Sequence, residues 1–149
     1  MTSSGTAKPY VKCIGASSTG VTQSCYLVRF KKYAILLDCG GYQESDVATN
    51  YKKNRELLKK IRVKELDYII LHEWHIDHTM LVPALYAKGC QAHIYAPPHS
   101  KEFLRLMWED SMHIMESDCA KLNNSGIKAA PFYSQNDIEK ALDRIIEVE

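Results

Sequence analysis

Apolar and polar positions along the chain change period several times, and each change marks an element. Val11–Ile14 alternates and predicts a first strand. Gly15 to Gly20, with its serines and Thr19, reads as a loop. Cys25–Phe30 and Tyr33–Leu37 are β-rich runs separated by Lys31-Lys32, which predicts a hairpin, although Lys-Lys lacks the Asn-Gly chemistry of the favoured turns. Leu57, Leu58 and Ile61 at helical spacing predict a short amphipathic helix over Arg55–Ile61. Asp67–Leu71 is a compact apolar run of the kind that forms a fully buried strand. Thr79 to Lys88 then reads as a helix stopped by Gly89, and Ala92–Ala96 as a strand closed by Pro97-Pro98.

Two further helices are predicted. Ser100 can cap one running to about Leu122, with Leu104, Met107, Trp108, Met115, Cys119 and Leu122 as its apolar stripe. Ser134 and Asp137 form a capping box for the other, which places Ile138, Leu142, Ile145 and Ile146 inward and runs to Glu149 with no closing strand. The order is strands first, then strand–helix–strand–helix, an α/β pattern. A run as apolar as Asp67–Leu71 wants cover on both faces, which so small a sheet does not supply. The sheet is therefore expected to be completed by further sequence, another chain or a second copy.

Composition narrows the class. Of 149 residues, 46% are hydrophobic and 25% charged, ordinary values for a globular protein, so one domain or a piece of one is expected. Nineteen basic residues nearly balance eighteen acidic ones, so any case for nucleic acid must be local. No apolar run approaches the ~18–20 residues of a membrane span. Residues 1–10 read as a flexible terminus without the apolar core of a signal peptide. Five scattered cysteines without a C-x-x-C argue against a disulfide framework and for a reducing, cytoplasmic setting.

The chemistry is concentrated in Leu71-His72-Glu73-Trp74-His75-Ile76-Asp77-His78. This segment follows a buried strand and precedes a helix, where ligand sites form in α/β sheets. Imidazole and carboxylate together suit zinc, and also manganese or iron. The zinc-protease motif H-E-x-x-H is absent, because His75 comes only three residues after His72. Three ligands in four residues, His75, Asp77 and His78, cannot all share one helix face. They can converge from a tight loop, and such a cluster suits two metals ~3.5–4 Å apart, the arrangement used in phosphodiester hydrolysis.

These residues carry a family resemblance. LHEWHIDH followed by TMLVPAL resembles the second motif of the metallo-β-lactamase fold, His-x-His-x-Asp-His. Leu37-Asp38-Cys39-Gly40 resembles the first motif, and Gly15–Ser24 with Cys25-Tyr26-Leu27-Val28 the opening hairpin. The stretch IYAPPHSKEFLRLMWEDSMHIMESDCAKLN resembles the β-CASP group, the RNA- and DNA-processing branch that includes the polyadenylation-signal nucleases and ribonuclease J; Tyr133 through Ile145 resembles the helix that follows there. The likeness covers about residues 11–149. It implies the first half of an αββα sandwich, with mixed sheet and flanking helices. It implies metal ligands at Glu73, His75, Asp77 and His78, catalytic roles for Asp77 and Asp38, and Zn2+, with Mn2+ as the alternative. It also implies RNA, or DNA, as the substrate of a metal-dependent phosphodiester hydrolase.

Two departures accompany the resemblance. Glu73 stands where the motif has its first histidine; glutamate can bind zinc, but with a charge and a different reach, and His72 beside it is the other candidate. The later motifs, which supply another histidine, a bridging aspartate and a final histidine, and the β-CASP cap fall outside the chain. His93, His99 and His113 fit none of them and read as structural. The resemblance therefore implies part of a nuclease, inactive by itself, or a non-catalytic scaffold subunit. A thioester or lactone hydrolase is a third class, opposed by residues 94–123. Lys52, Lys53, Arg55, Lys59, Lys60, Arg62 and Lys64, against Glu56 alone, form a basic stripe that could hold phosphates or simply be a solvated helix face.

Overall fold

The structure, a computed structural model, describes residues 8–15 and 20–149. Residues 1–7 and 16–19, and with them most of the expected flexible terminus and of the serine-rich loop, lie outside the described residues.

A six-stranded mixed sheet runs in chain order: β1 (Tyr10–Cys13), β2 (Tyr26–Phe30), β3 (Tyr33–Leu37), β4 (Tyr68–Ile70), β5 (His93–Ala96) and β6 (Ile145–Glu147). The first three strands pair antiparallel, and β3 to β6 pair parallel. The hairpin between β2 and β3 turns at Lys31-Lys32 as expected. Lys31 takes a left-handed φ of 53°, the conformation that Gly or Asn adopts more cheaply. A non-glycine residue there costs about 1 kcal/mol.

The helices are α1 (Val47–Lys59), α2 (Ile76–Thr79), α3 (Val82–Ala87), α4 (Ser100–Asn124) and α5 (Gln135–Leu142). Four corrections to the expected elements follow. First, α1 begins eight residues before Arg55, because Asp46 caps it by accepting from the Thr49 N–H at 3.0 Å. Second, the helix expected over Thr79–Lys88 is broken at Leu81. The Leu81 N–H donates to Cys39 O at 2.9 Å instead of continuing a helix, and Pro83 opens α3. Third, Ser100 does not cap α4. His99 is the cap residue in a left-handed conformation, and the Ser100 hydroxyl is buried without a partner.

Fourth, the last helix stops at Leu142, and a closing strand exists. The capping box of Ser134 and Asp137 is present. After it, Arg144 O accepts from Ile94 N at 2.9 Å, and Val148 N donates to Ala96 O at 2.9 Å. Ile145 and Ile146 thus enter β6 on opposite faces of the sheet, and Ile146 points away from the helices.

All the helices lie against one sheet face. Ala34, Leu36, Ile69 and Ile94 are fully buried there with Leu57, Leu81, Leu85, Leu104, Trp108, Ile138 and Leu142. The opposite face carries Tyr26, Phe30, Tyr33, Ile35, Tyr68, Ile70, Tyr95 and Ile146, none of them buried. All five cysteines are free thiols. No helix among the described residues is long and apolar enough to cross a membrane.

Candidate metal centre

The site lies at the carboxyl ends of β3 and β4, where the parallel strands release the chain. Asp38 follows β3 directly and has a φ of 57°. Its backbone is held by the Asp38 N–H donating to Ile70 O at 3.0 Å. This turn, which costs about 1 kcal/mol for a residue other than glycine, swings the buried carboxylate toward the loop after β4.

Backbone hydrogen bonds then clamp segment 38–41 to the histidine loop. Cys39 N donates to His78 O at 2.8 Å, Gly41 N to Ile76 O at 3.0 Å, and Ser24 N to Asp77 O at 2.9 Å. This close approach explains Gly40. A Cβ there would sit 1.6 Å from Asp77 O, inside any permissible contact. Thr79 anchors the far side of the loop, its hydroxyl donating to His75 O at 3.0 Å, while Thr79 O accepts from the Trp108 indole at 3.0 Å.

The side chains form one network. The Ser24 hydroxyl donates to Asp38 Oδ2 at 2.9 Å. The same oxygen lies 3.0 Å from His72 Nδ1 and 3.0 Å from His78 Nδ1. The opposite edges of both imidazoles face Glu73, whose Oε1 is 2.9 Å from His78 Nε2 and 3.3 Å from His72 Nε2. The other Glu73 oxygen contacts His75 Nδ1, and Asp77 Oδ2 lies 3.2 Å from His78 Nε2. Trp74 stacks on His75 with ring centroids 4.5 Å apart, and on Phe103 at 4.9 Å.

The electrostatics follow from these contacts. The hydrogen bond from His75, aided by the nearby imidazoles, holds the Glu73 carboxyl below the usual carboxylate range. Burial disfavours charge on His78, but its hydrogen bond to Asp38 and the carboxylates of Asp77, Asp38 and Glu73 outweigh that and raise its pKa. The Cys39 thiol is pushed well up by its hydrogen bond with Cys25 and by burial, so it is an inert core thiol.

Of the residues singled out in the sequence, Glu73, His75, Asp77 and His78 all enter this network. Asp38 reaches His78 and also His72, the alternative to Glu73 as first ligand. One donor atom each of Asp38, His72 and His78 lies within 4.8 Å of the others, a grouping able to hold a metal ion. Ser24 and Trp74 went unmarked. Trp74 sits inside the motif, but nothing in the pattern around Ser24 points to its bond with Asp38. His93, His99 and His113 stay outside the network: His93 is on the open sheet face, His99 precedes α4, and His113 lies 3.4 Å from Glu116 on α4. In the basic stripe, Lys53 lies over the Tyr42 ring at 3.9 Å and Arg62 pairs with Glu65 at 3.4 Å; the remaining five residues are exposed.

This loop and sheet match a known family. The profile of the metallo-β-lactamase superfamily matches residues 18–143, and the chain belongs to that superfamily. Among curated relatives, Ribonuclease TTHA0252 of Thermus thermophilus is 26% identical over 129 residues, 87% of this chain and 26% of that protein. Transcription termination factor FttA of Methanosarcina mazei is 26% identical over 102 residues, 68% of this chain and 16% of that protein. Endoribonuclease YSH1 of Candida albicans is 20% identical over 127 residues, 84% of this chain and 14% of that protein. The chain thus spans about a quarter or less of these relatives. Among solved structures, an archaeal metallo-β-lactamase superfamily protein of Sulfolobus tokodaii aligns with a TM-score of 0.49 at 20% identity, covering 93% of this chain and 48% of that one.

Proposed function

We propose that the chain is the amino-terminal, metal-holding part of a β-CASP-type phosphodiester hydrolase acting on RNA. The observation that carries this reading is the convergence of three imidazoles and three carboxylates, from His72, His75, His78, Asp38, Glu73 and Asp77, on one strand-end loop. The donor set fits a divalent cation. Borderline nitrogen and hard oxygen donors occur together, two of the imidazoles are oriented by a buried carboxylate on their far edges, and no thiolate takes part. Glu73, His75, Asp77 and His78 would hold zinc or manganese, and Asp38 would fix the orientation of His78. A bound divalent cation supplies Lewis-acid activation of water and phosphate in phosphodiester hydrolysis. The ribonuclease names among the relatives support RNA as the substrate. The exposed apolar sheet face supports completion of the domain by further polypeptide, a partner chain or a second copy, and the five free thiols support a reducing, cytoplasmic setting.

A second reading rests on Glu73. Its carboxylate stands where the motif has a neutral imidazole, and it already engages His75 and His78. A non-catalytic subunit of an RNA-processing assembly would tolerate that change. The test is metal content by plasma mass spectrometry on protein purified without chelator, paired with cleavage of labelled single-stranded RNA. Near-stoichiometric zinc or manganese, lost in Asp77→Ala, is expected. Absence of metal even after incubation with zinc would sink the catalytic reading. Bound metal without cleavage is what this part alone predicts; bound metal without cleavage once the rest of the domain is supplied would move the protein to the scaffold class.

A further inference from the structure

We propose that His72 is a direct metal ligand, joining Glu73 and His78 of the proposed set as a second imidazole on the same divalent cation. This rests on the reading of the loop as a metal centre, and goes beyond it by adding a residue that the superfamily motif does not place there.

The geometry of His72 and His78 is the argument. The two imidazoles sit between the same two carboxylates. On the inner side a single oxygen, Asp38 Oδ2, lies 3.0 Å from the Nδ1 of each. On the outer side a single oxygen, Glu73 Oε1, lies 2.9 Å and 3.3 Å from their Nε2 atoms. The rings stand nearly perpendicular, with centroids 4.5 Å apart. One imidazole held by a carboxylate behind it and presenting its other nitrogen outward is the usual way a protein orients a metal-binding histidine. Here it occurs twice on one aspartate, and His72 is treated the same as His78.

Two of the three donor separations are also compatible with a coordination shell. Donors bound at ~2.0–2.1 Å and separated by angles between octahedral and tetrahedral lie ~2.9–3.4 Å from one another. Both Nε2 to Oε1 separations fall in that range. Two imidazoles and one carboxylate are a common set for first-row divalent ions such as zinc or iron. His75 reaches the other oxygen of Glu73, and the Asp77 carboxylate lies against the His78 imidazole, so it is His72 that shares with His78 both the Asp38 and the Glu73 oxygen.

His72 is also a safe residue to change. Its side chain is 60% exposed, and its backbone N–H makes only a long contact, 3.4 Å, to Asp38 Oδ1. The experiment titrates the chain with Co2+, reading the visible d–d absorption and competition with Zn2+, for the wild type and for His72→Ala and His72→Gln, with far-UV circular dichroism to verify the fold. One Co2+ per chain is expected. In both variants the affinity falls ~10-fold or more and the band shifts, because a nitrogen donor is replaced by oxygen or water. A His72→Ala protein that binds Co2+ with wild-type affinity and spectrum overturns the assignment of His72 while leaving the metal-centre reading intact. A wild type that binds no Co2+ overturns both.

Discussion

The two faces of the sheet differ sharply, though their residues alternate along the same strands. On the helix-covered face Ala34, Leu36, Ile69 and Ile94 are fully buried. On the other, Phe30, Ile70 and Ile146 keep 46%, 39% and 39% of their surface. Tyr33, Tyr68 and Tyr95 cross this open face as a ladder, with successive ring centroids 5.8 and 5.9 Å apart. A sheet with one solvated face normally alternates apolar and polar side chains. Here both faces carry apolar or aromatic side chains, a composition otherwise found in strands covered on each side. The histidine loop that follows β4 is tied to the covered face through Thr79, whose carbonyl accepts from the buried Trp108.

That contrast predicts where mutations hurt. The largest loss is expected at Trp108, which is fully buried and donates to Thr79 O. Trp108→Ala should cost about 3–5 kcal/mol and loosen the histidine loop through Thr79, seen as a lower urea midpoint and weaker Co2+ uptake. A sharper pair lies on β3. Leu36→Ala removes a fully buried side chain and should cost about 2–5 kcal/mol. Its neighbour Ile35 faces the open side, and Ile35→Ala should cost about 1 kcal/mol. Equal losses would mean that the open face is covered in solution. Midpoints that rise with protein concentration would identify a second copy as the cover.

The same contrast explains how much was legible in sequence. Apolar runs made β2 to β5 visible, but the fully buried strand expected over Asp67–Leu71 is buried on one face only, with Ile69 fully buried and Ile70 keeping 39% of its surface. The end of the chain was not visible. Leu142, Ile145 and Ile146 stand at spacings that suit a helix, and only pairing with Ile94 and Tyr95, some fifty residues earlier in the chain, makes the last two a strand. The first half of α1 was hidden because a key inward residue, Asn54, is polar. It is buried, with its Oδ1 accepting from Tyr42 N at 2.7 Å, and a hydrophobic pattern cannot register such an anchor. At the candidate site, the motif resemblance singled out Glu73, His75, Asp77 and His78 as expected ligands, and the structure brings them into one network. The position of His72 depends on Asp38, 34 residues away in sequence, and no local pattern encodes that contact.

The smallest expected effect concerns α5, which helps close the covered face and leads into β6. Asp137 is the third helical residue of α5 and the partner of the cap residue Ser134 in its capping box. Burial works against the charge on Asp137, but hydrogen bonds from the Ser134 backbone N–H and hydroxyl, together with Lys140, outweigh it and hold its carboxyl below the ordinary value of 3.8. A carboxyl depressed in the folded state adds stability that is fully present above its unfolded pKa and is lost as pH falls through the folded one. Asp137→Ala should therefore cost about 1 kcal/mol at neutral pH. The gap between wild type and variant should hold down to about pH 4 and shrink below it. Urea midpoints measured from pH 7 to pH 3 check this. A gap that widens on acidification would mean that the carboxylate is not the stabilising form. A gap of several kcal/mol at neutral pH would make α5 as important to the covered face as Trp108, and would end the division between a closed core and a peripheral cap.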